Sequence, residues 1–278
     1  MPTNLPMLLA TQVPLIEARA AQALLGQFLQ PTAAEPEPRR KLRAAFAPRT
    51  SVENGVGTLE IHGVLAYRPD IGDMLFDGFE DSAEVLAAFR RLEADPGVKS
   101  ILLDVNSPGG FSVGGAEIAD AVFKSSKPTV AWVGGMMCSL AYWIGSQADA
   151  VIGTRSAMVG SIGAYVSVVD YHRMLANAGI EVRVFRNQEG TFKAAGMPGT
   201  PITDDHAAEF TRQAQRTFDV FKTDVLRTRK SIRPEALKGQ SFDGFQARSE
   251  QLIDALGGLE YAFSVSRRFA RSHPKMGH

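Results

Sequence analysis

The sequence predicts an α/β protein of parallel strands alternating with helices, and three stretches carry that expectation. The run Val98 to Val105 has Ile101-Leu102-Leu103 at its centre, the composition of a strand buried on both faces of a parallel sheet. The stretch Val130 to Gly145 begins β-rich and apolar, breaks at Gly134-Gly135, and resumes with small and aromatic residues at helical spacing. Between these landmarks, strand-like and helix-like segments alternate at lengths that imply βαβ units with right-handed crossovers.

Composition bounds the function before any motif is read. Hydrophobic residues make up 45% and charged residues 22%, the balance of a soluble globular protein. Lys and Arg total 30 and so do Asp and Glu, so no net field argues for nucleic acid or anionic membrane as the main partner. Cys138 is the lone cysteine, which excludes an internal disulfide framework and cysteine-based zinc sites and fits a reducing compartment. Residues 1–16 carry Pro2, Pro6 and Pro14 and no basic start, unlike a signal peptide. Residues 128–148 are uncharged and long enough to span a bilayer, but Gly134, Gly135, Ser139, Ser146 and Gln147 dilute them, and a buried core unit fits better.

In chain order, Leu15, Ala18, Ala21, Leu25, Phe28 and Leu29 share one helical face. A Pro-rich, Arg-rich linker follows, so residues 1–50 read as an appendage open to docking on the core, another subunit or a partner. The main domain is expected over 51–265, with a loose tail at 266–278. Gly57 to Leu65 alternates as a strand, and Ser82 to Asp95 places Val85, Phe89 and Leu92 on one helical face. Val98–Val105 is the buried strand, followed by Asn106-Ser-Pro-Gly-Gly and a helix from about Val113 to Lys124. Then come strand 128–133, helix 139–147, strand 149–153 and the turn Val159-Gly-Ser-Ile-Gly. Strand 164–169, helix 170–178 and strand 181–186 are expected next. Thr203 to Arg229 is a long amphipathic helix with Thr203 as its N-cap and a stripe through Phe210, Phe218, Phe221 and Val225. Pro234 opens a short helix, and 245–256 and 261–271 finish the chain.

Ser139 falls at the first turn of a helix that follows a buried strand. A hydroxyl there sits beside unpaired backbone N–H groups and the positive end of a helix dipole, which suits a nucleophile. It equally suits a simple helix cap. Two glycines in Asn106-Ser-Pro-Gly-Gly let the backbone approach a ligand and aim N–H groups at developing negative charge. Adjacent strands would bring the Gly110 N–H and the Ser139 hydroxyl to one edge of the sheet. A nucleophilic serine needs a base: His172 lies two residues from Asp170, a pairing that reads as a surface feature, and Lys193 lies in Glu189-Gly-Thr-Phe-Lys-Ala-Ala-Gly.

Asn106-Ser-Pro-Gly-Gly, Met137-Cys-Ser-Leu-Ala-Tyr-Trp-Ile, Val159-Gly-Ser-Ile-Gly and Gly190-Thr-Phe-Lys-Ala-Ala-Gly resemble, in that order, the signature blocks of the signal peptide peptidase A family. Phe242-Asp-Gly-Phe-Gln-Ala through Leu252-Ile-Asp-Ala-Leu-Gly resembles its closing motif. The resemblance implies a ClpP/crotonase-like spiral of βαβ units with an N-terminal helical appendage. It implies a serine endopeptidase with Ser139 as nucleophile, Lys193 as general base, Ser161 orienting the lysine, and Gly110 and Leu140 as oxyanion donors. No metal or cofactor is implied. Neutrality of Lys193 would require burial, expected from Phe192, Ala194 and Ala195.

Leu140 stands where the family usually has Ala or Gly, which predicts a narrower pocket. The N-terminal helix and the lack of an anchor are similar to phage capsid-assembly proteases of the family. That branch implies protein substrates, homo-oligomers, capsid or scaffold partners, and a bacterial host cytoplasm. A signal-peptide-peptidase-like peptide-degrading protease, a crotonase-type acyl-CoA enzyme and a non-catalytic scaffold protein remain the alternatives.

Overall fold

The computed structural model describes residues 47–272; the expected N-terminal helix, most of the linker and the chain after Ser272 lie outside the described residues. Within them the chain divides into a smaller unit, 165–215, and a larger one, 47–164 with 216–272.

The larger unit begins with β1 (Thr50–Glu53), β2 (Val56–Ala66), α1 (Ile71–Phe76), β3 (Phe79–Asp81) and α2 (Ser82–Ala94). It continues with β4 (Ser100–Gly110), α3 (Gly115–Phe123), β5 (Thr129–Cys138), α4 (Leu140–Gly145), β6 (Ala150–Gly153) and β7 (Met158–Gly160). β2, β4, β5 and β6 are parallel neighbours in that order. β5 is shared along its length: Val130–Val133 pair with β6, and Met136–Cys138 pair with β7.

Alternation on β4 explains the apolar run seen in the sequence. Ile101, Leu103 and Val105 enter the main core with α2, α3 and α4, while Leu102 turns to the opposite face with Val56, Val130 and Ile152. That second face is covered by Ala262 and Val265 of α8 (Leu259–Ser272). Helix α8 carries the chain beyond the expected domain end at 265. Its buried Ser266 hydroxyl lies 2.9 Å from that of Ser100, which ties the helix to β4.

Two expected breaks are absent. Strand β4 runs on through Asn106-Ser-Pro-Gly-Gly, and β5 runs on through Gly134-Gly135 to Cys138. The glycines of β5 make room for neighbours rather than turning the chain. A Cβ on Gly134 would lie 2.4 Å from the Trp132 ring, and one on Gly135 would lie 2.5 Å from Asn106 Oδ1.

The smaller unit contains α5 (His172–Asn177) and the start of α6 (Asp204–Thr228). The strands expected at 164–169 and 181–186 do not form. Most of their β-branched and aromatic residues are exposed, Tyr165 at 85% and Phe185 at 90%, while Val168 and Val169 are half-buried. A strand needs a ladder partner, and neither segment has one among the described residues. After α6 the larger unit is completed by β8 (Ser241–Phe242), α7 (Gly244–Ser249), β9 (Ala255–Leu256) and α8.

Glu80 on β3 accepts the His62 N–H at 2.6 Å. Burial pushes its carboxyl up to about 8 from 4.5, against the pull of that bond and with added repulsion from Glu60. Asp104 is raised in the same direction, first by burial. A carboxyl that binds its proton more tightly folded than unfolded loses stabilising effect as pH climbs between the two values. The free energy of urea unfolding should therefore fall from about pH 5 to about pH 8, and Glu80→Gln should flatten that slope.

Candidate active site at the carboxyl ends of three strands

The turn from β5 into α4 places Ser139 in an unusual backbone conformation, φ 51° and ψ −124°. For a residue with a side chain this costs about 1–3 kcal/mol and persists only where the surroundings impose it. Here they do: the Ser139 N–H donates to the Gly160 carbonyl at 2.8 Å, and the Ser139 carbonyl accepts from Trp143 N–H at 2.9 Å. The half-buried Ser139 side chain makes no capping bond. A plain cap would use its hydroxyl on the helix, so capping does not account for Ser139. Leu140 is the first helical residue, and its N–H has no intrahelical acceptor.

The end of β4 supplies the second wall. Leu65 of β2 pairs with Gly110, and the Phe111 N–H donates to the Leu65 carbonyl at 2.9 Å. A Cβ on Gly110 would lie 1.9 Å from the Leu65 carbonyl oxygen, so β2 leaves no room for a side chain there. Gly109, at φ 103°, backs directly onto the Ser139 turn. A Cβ there would lie 2.8 Å from Cys138 O, Leu140 N and Ser139 Cβ. Sequence reading singled out Gly110 and missed this role of Gly109; the Gly-Gly pair was the available signal.

The expectation of a pocket narrowed by Leu140 is corrected by its burial. The side chain is 3% exposed and belongs to the main core. It is received by Gly115 of α3, where an added Cβ would meet Leu140 Cδ1 at 2.2 Å.

β7 contributes the third wall. Cys138 pairs with Gly160, so Ser139 and Ser161 each follow directly from paired residues on neighbouring strands. Half-buried Ser161 also has a positive φ, 52°, with its N–H bonded to the Gln240 carbonyl at 2.7 Å. Gly110, Ser139, Leu140 and Ser161 are thus gathered at the carboxyl ends of β4, β5 and β7, the usual place for ligand sites in α/β folds.

Lys193 belongs to the smaller unit. It lies in a tight turn, its N–H bonded to the Gly190 carbonyl at 2.9 Å and its carbonyl accepting from Arg186 Nη1 at 3.3 Å. The expected burial beside Phe192, Ala194 and Ala195 is not supplied there, for Lys193 is exposed. The His172–Asp170 pairing is structural: Asp170 accepts the His172 backbone N–H at 2.8 Å and that of Ile202 at 3.2 Å. Those backbone bonds hold the Asp170 carboxyl below its ordinary range. Among the described residues no group of His, Cys, Asp and Glu is placed to hold a metal ion, and no helix is long and apolar enough to cross a membrane.

A strained serine between strand and helix, facing glycine-rich backbone on the next strand, is the layout of an acyl-transfer site. Residues 121–271 match the model of Peptidase family S49, and the chain belongs to that family. It is 30% identical over 191 residues to the putative protease MJ0651 of Methanocaldococcus jannaschii, covering 66% of this chain and 61% of that protein. It is 33% identical over 235 residues to the head-tail preconnector protein GP5 of Enterobacteria phage P21, covering 81% of this chain and 45% of that protein. The chain therefore spans about half to three-fifths of the length of these relatives. An enoyl-CoA hydratase from Shewanella pealeana superposes with a TM-score of 0.51 at 14% identity, over 86% of this chain and 80% of that one. That likeness establishes the crotonase-like fold and nothing of the chemistry.

Gly109→Ala should destabilise the fold, because its methyl would lie 2.8 Å from Cys138 O, Leu140 N and Ser139 Cβ on a backbone with φ 103°; urea unfolding against wild type should show a loss of about 1–3 kcal/mol.

Proposed function

We propose that the chain is a serine endopeptidase in which Ser139 attacks the scissile carbonyl and Lys193 is the general base. The observation that carries the proposal is the Ser139 turn: a strained backbone, a hydroxyl free of capping, and the Leu140 N–H beside it. In this reading the neutral Lys193 amine takes the Ser139 proton as Oγ bonds to the carbonyl carbon. The Gly110 and Leu140 N–H groups hold the oxyanion, and Ser161 orients the amine. Collapse of the tetrahedral adduct breaks the C–N bond, and the lysine returns its proton to the leaving amine. Water then attacks the acyl-enzyme by the same route in reverse roles.

The exposure of Lys193 sets a condition. A general base near neutral pH must be largely uncharged, and desolvation is one means of lowering a lysine pKa. We infer that a second copy of the chain supplies it, so that the enzyme works as a homo-oligomer. Support comes from the smaller unit, where Tyr165, Ile180, Phe185, Phe192 and Met197 are all exposed apolar residues. Exposed apolar area gathered into a patch marks an interaction surface. For substrate we propose capsid or scaffold proteins of a phage or prophage, processed in the host cytoplasm, in keeping with the head-tail preconnector relative. A peptide-degrading role is the alternative outcome of cleavage mapping.

Ser139→Ala and Lys193→Met should each abolish peptidase activity while leaving the melting temperature close to wild type. Activity retained in Lys193→Met would sink the lysine-base assignment. Mixing Ser139→Ala with Lys193→Ala after dissociation and reassembly should restore part of the activity if the dyad is completed across protomers. No recovery in verified mixed oligomers would place both groups in one chain.

A further inference from the structure

Helix α4 is only six residues long, Leu140–Gly145. A helix of that length is marginal by itself, yet it must hold Ser139 in a strained conformation at one end. Its other end is gripped by side chains from the C-terminal part of α6 and the residues after it. Arg229, 8% exposed, donates from Nε to the Ser146 carbonyl at 3.1 Å and from Nη2 to the Ala148 carbonyl at 2.7 Å. Its Nη1 donates to Asp254 Oδ2 at 2.7 Å, and the same oxygen accepts the Val151 N–H at 2.7 Å. Thr228 Oγ1 adds a second donor to the Ser146 carbonyl, at 2.9 Å.

The grip continues along the helix. Trp143 Nε1 donates to Asp224 Oδ2 at 2.8 Å, and the Trp143 ring stacks on Phe221 at 4.9 Å between centroids. Gln147, nearly fully buried, bonds to the Asp224 carbonyl at 3.0 Å and to Arg227 Nε at 2.8 Å.

We propose that Arg229 is a positioning residue for the nucleophile: its fork on the Ser146 and Ala148 carbonyls fixes α4, and through α4 it fixes Ser139 and the Leu140 N–H. This rests on the reading of Ser139 as nucleophile. The physical reason is the division of labour between the ends of the helix. At the N-terminal end the strain at Ser139 is relieved if α4 rotates or frays. At the C-terminal end the α4 carbonyls are closed by N–H groups of the following turn, Gln147 to Ile144 and Ala148 to Gly145; Arg229 holds the carbonyls of that turn, Ser146 and Ala148, where a cation is favoured by the helix dipole. A planar fork bonded to two carbonyls and anchored on a carboxylate resists rotation in a way that a single ammonium cannot. The exposed Arg233, which pairs with Glu250, 17 residues later in the chain, provides the comparison.

The test uses the full chain with Arg229→Lys, Arg229→Ala and the control Arg233→Ala. The readouts are fluorophosphonate labelling of Ser139, peptide-hydrolysis kcat and KM, and a thermal melt. In folded Arg229→Lys, kcat and the labelling rate should fall together by about tenfold or more, with KM within about twofold; this is the order expected when reacting groups are misplaced without loss of binding. Guanidinium ion at millimolar concentration should restore part of the labelling in Arg229→Ala, which a general loss of stability would not allow. Arg233→Ala should match wild type.

Arg229 variants that melt earlier but label and turn over at the wild-type rate would overturn the proposal, as would a loss shared equally by Arg233→Ala. If no Arg229 variant folds, Thr228→Val decides. A fall in kcat of about threefold at unchanged melting temperature upholds the grip, and an unchanged kcat refutes it. Absence of labelling at Ser139 in the wild type would instead defeat the nucleophile assignment itself, and the positioning role with it.

Discussion

The site depends on how closely the end of β4 approaches the turn between β5 and α4. That approach is set by what Gly109 lacks. With any side chain there, Cβ would meet the Cys138 carbonyl, the Leu140 nitrogen and the Ser139 Cβ at once, and the Gly110 strand end would be pushed from the serine. The bond from Ser139 N–H to the Gly160 carbonyl closes the other side. Ser139 is therefore wedged between two strand ends, and its positive φ follows from that confinement rather than from local preference.

Confinement at the top of the sheet needs a rigid base beneath it. The parallel strands supply one because they are covered on both faces, by α2, α3, α4 and α7 on one side and α8 on the other. Close-packed interiors transmit displacement rather than absorbing it. Leu140 shows the consequence: the residue beside Ser139 is a core residue, seated over Gly115, so the geometry of the Ser139 turn and core packing are one problem. The buried Tyr142 hydroxyl, bonded to the Leu252 carbonyl at 2.9 Å, ties α4 to the C-terminal motif in the same way.

The smaller unit follows a different logic. Many of its apolar residues, Tyr165, Val182, Val184 and Phe185 among them, remain outside any sheet and exposed to water. Exposed apolar area of this kind is costly, roughly 25 cal/mol per Å² that burial would recover, while backbone groups without a ladder bond to turns and to side chains such as Asp170.

Much of this was legible in the sequence. The Ile101-Leu102-Leu103 run gave β4 its place in the middle of a sheet, and the Asp- and Phe-patterned stretch after Thr203 gave the long helix almost to the residue. The four motif blocks pointed to the family. What they could not contain was anything fixed by two distant segments meeting. Gly134-Gly135 reads as a break in one dimension, but in the fold it is the space that Trp132 and Asn106 occupy. Leu140 reads as an obstruction until Gly115 is found opposite it. Arg229 reads as one of many basic residues until its fork closes on the carbonyls of Ser146 and Ala148. The sequence alone determined periodicity and local chemistry, because these depend on near neighbours along the chain. Close approach, burial and the pinning of Ser139 were decided by the tertiary structure, because they depend on atoms brought together from strands and helices far apart in the chain.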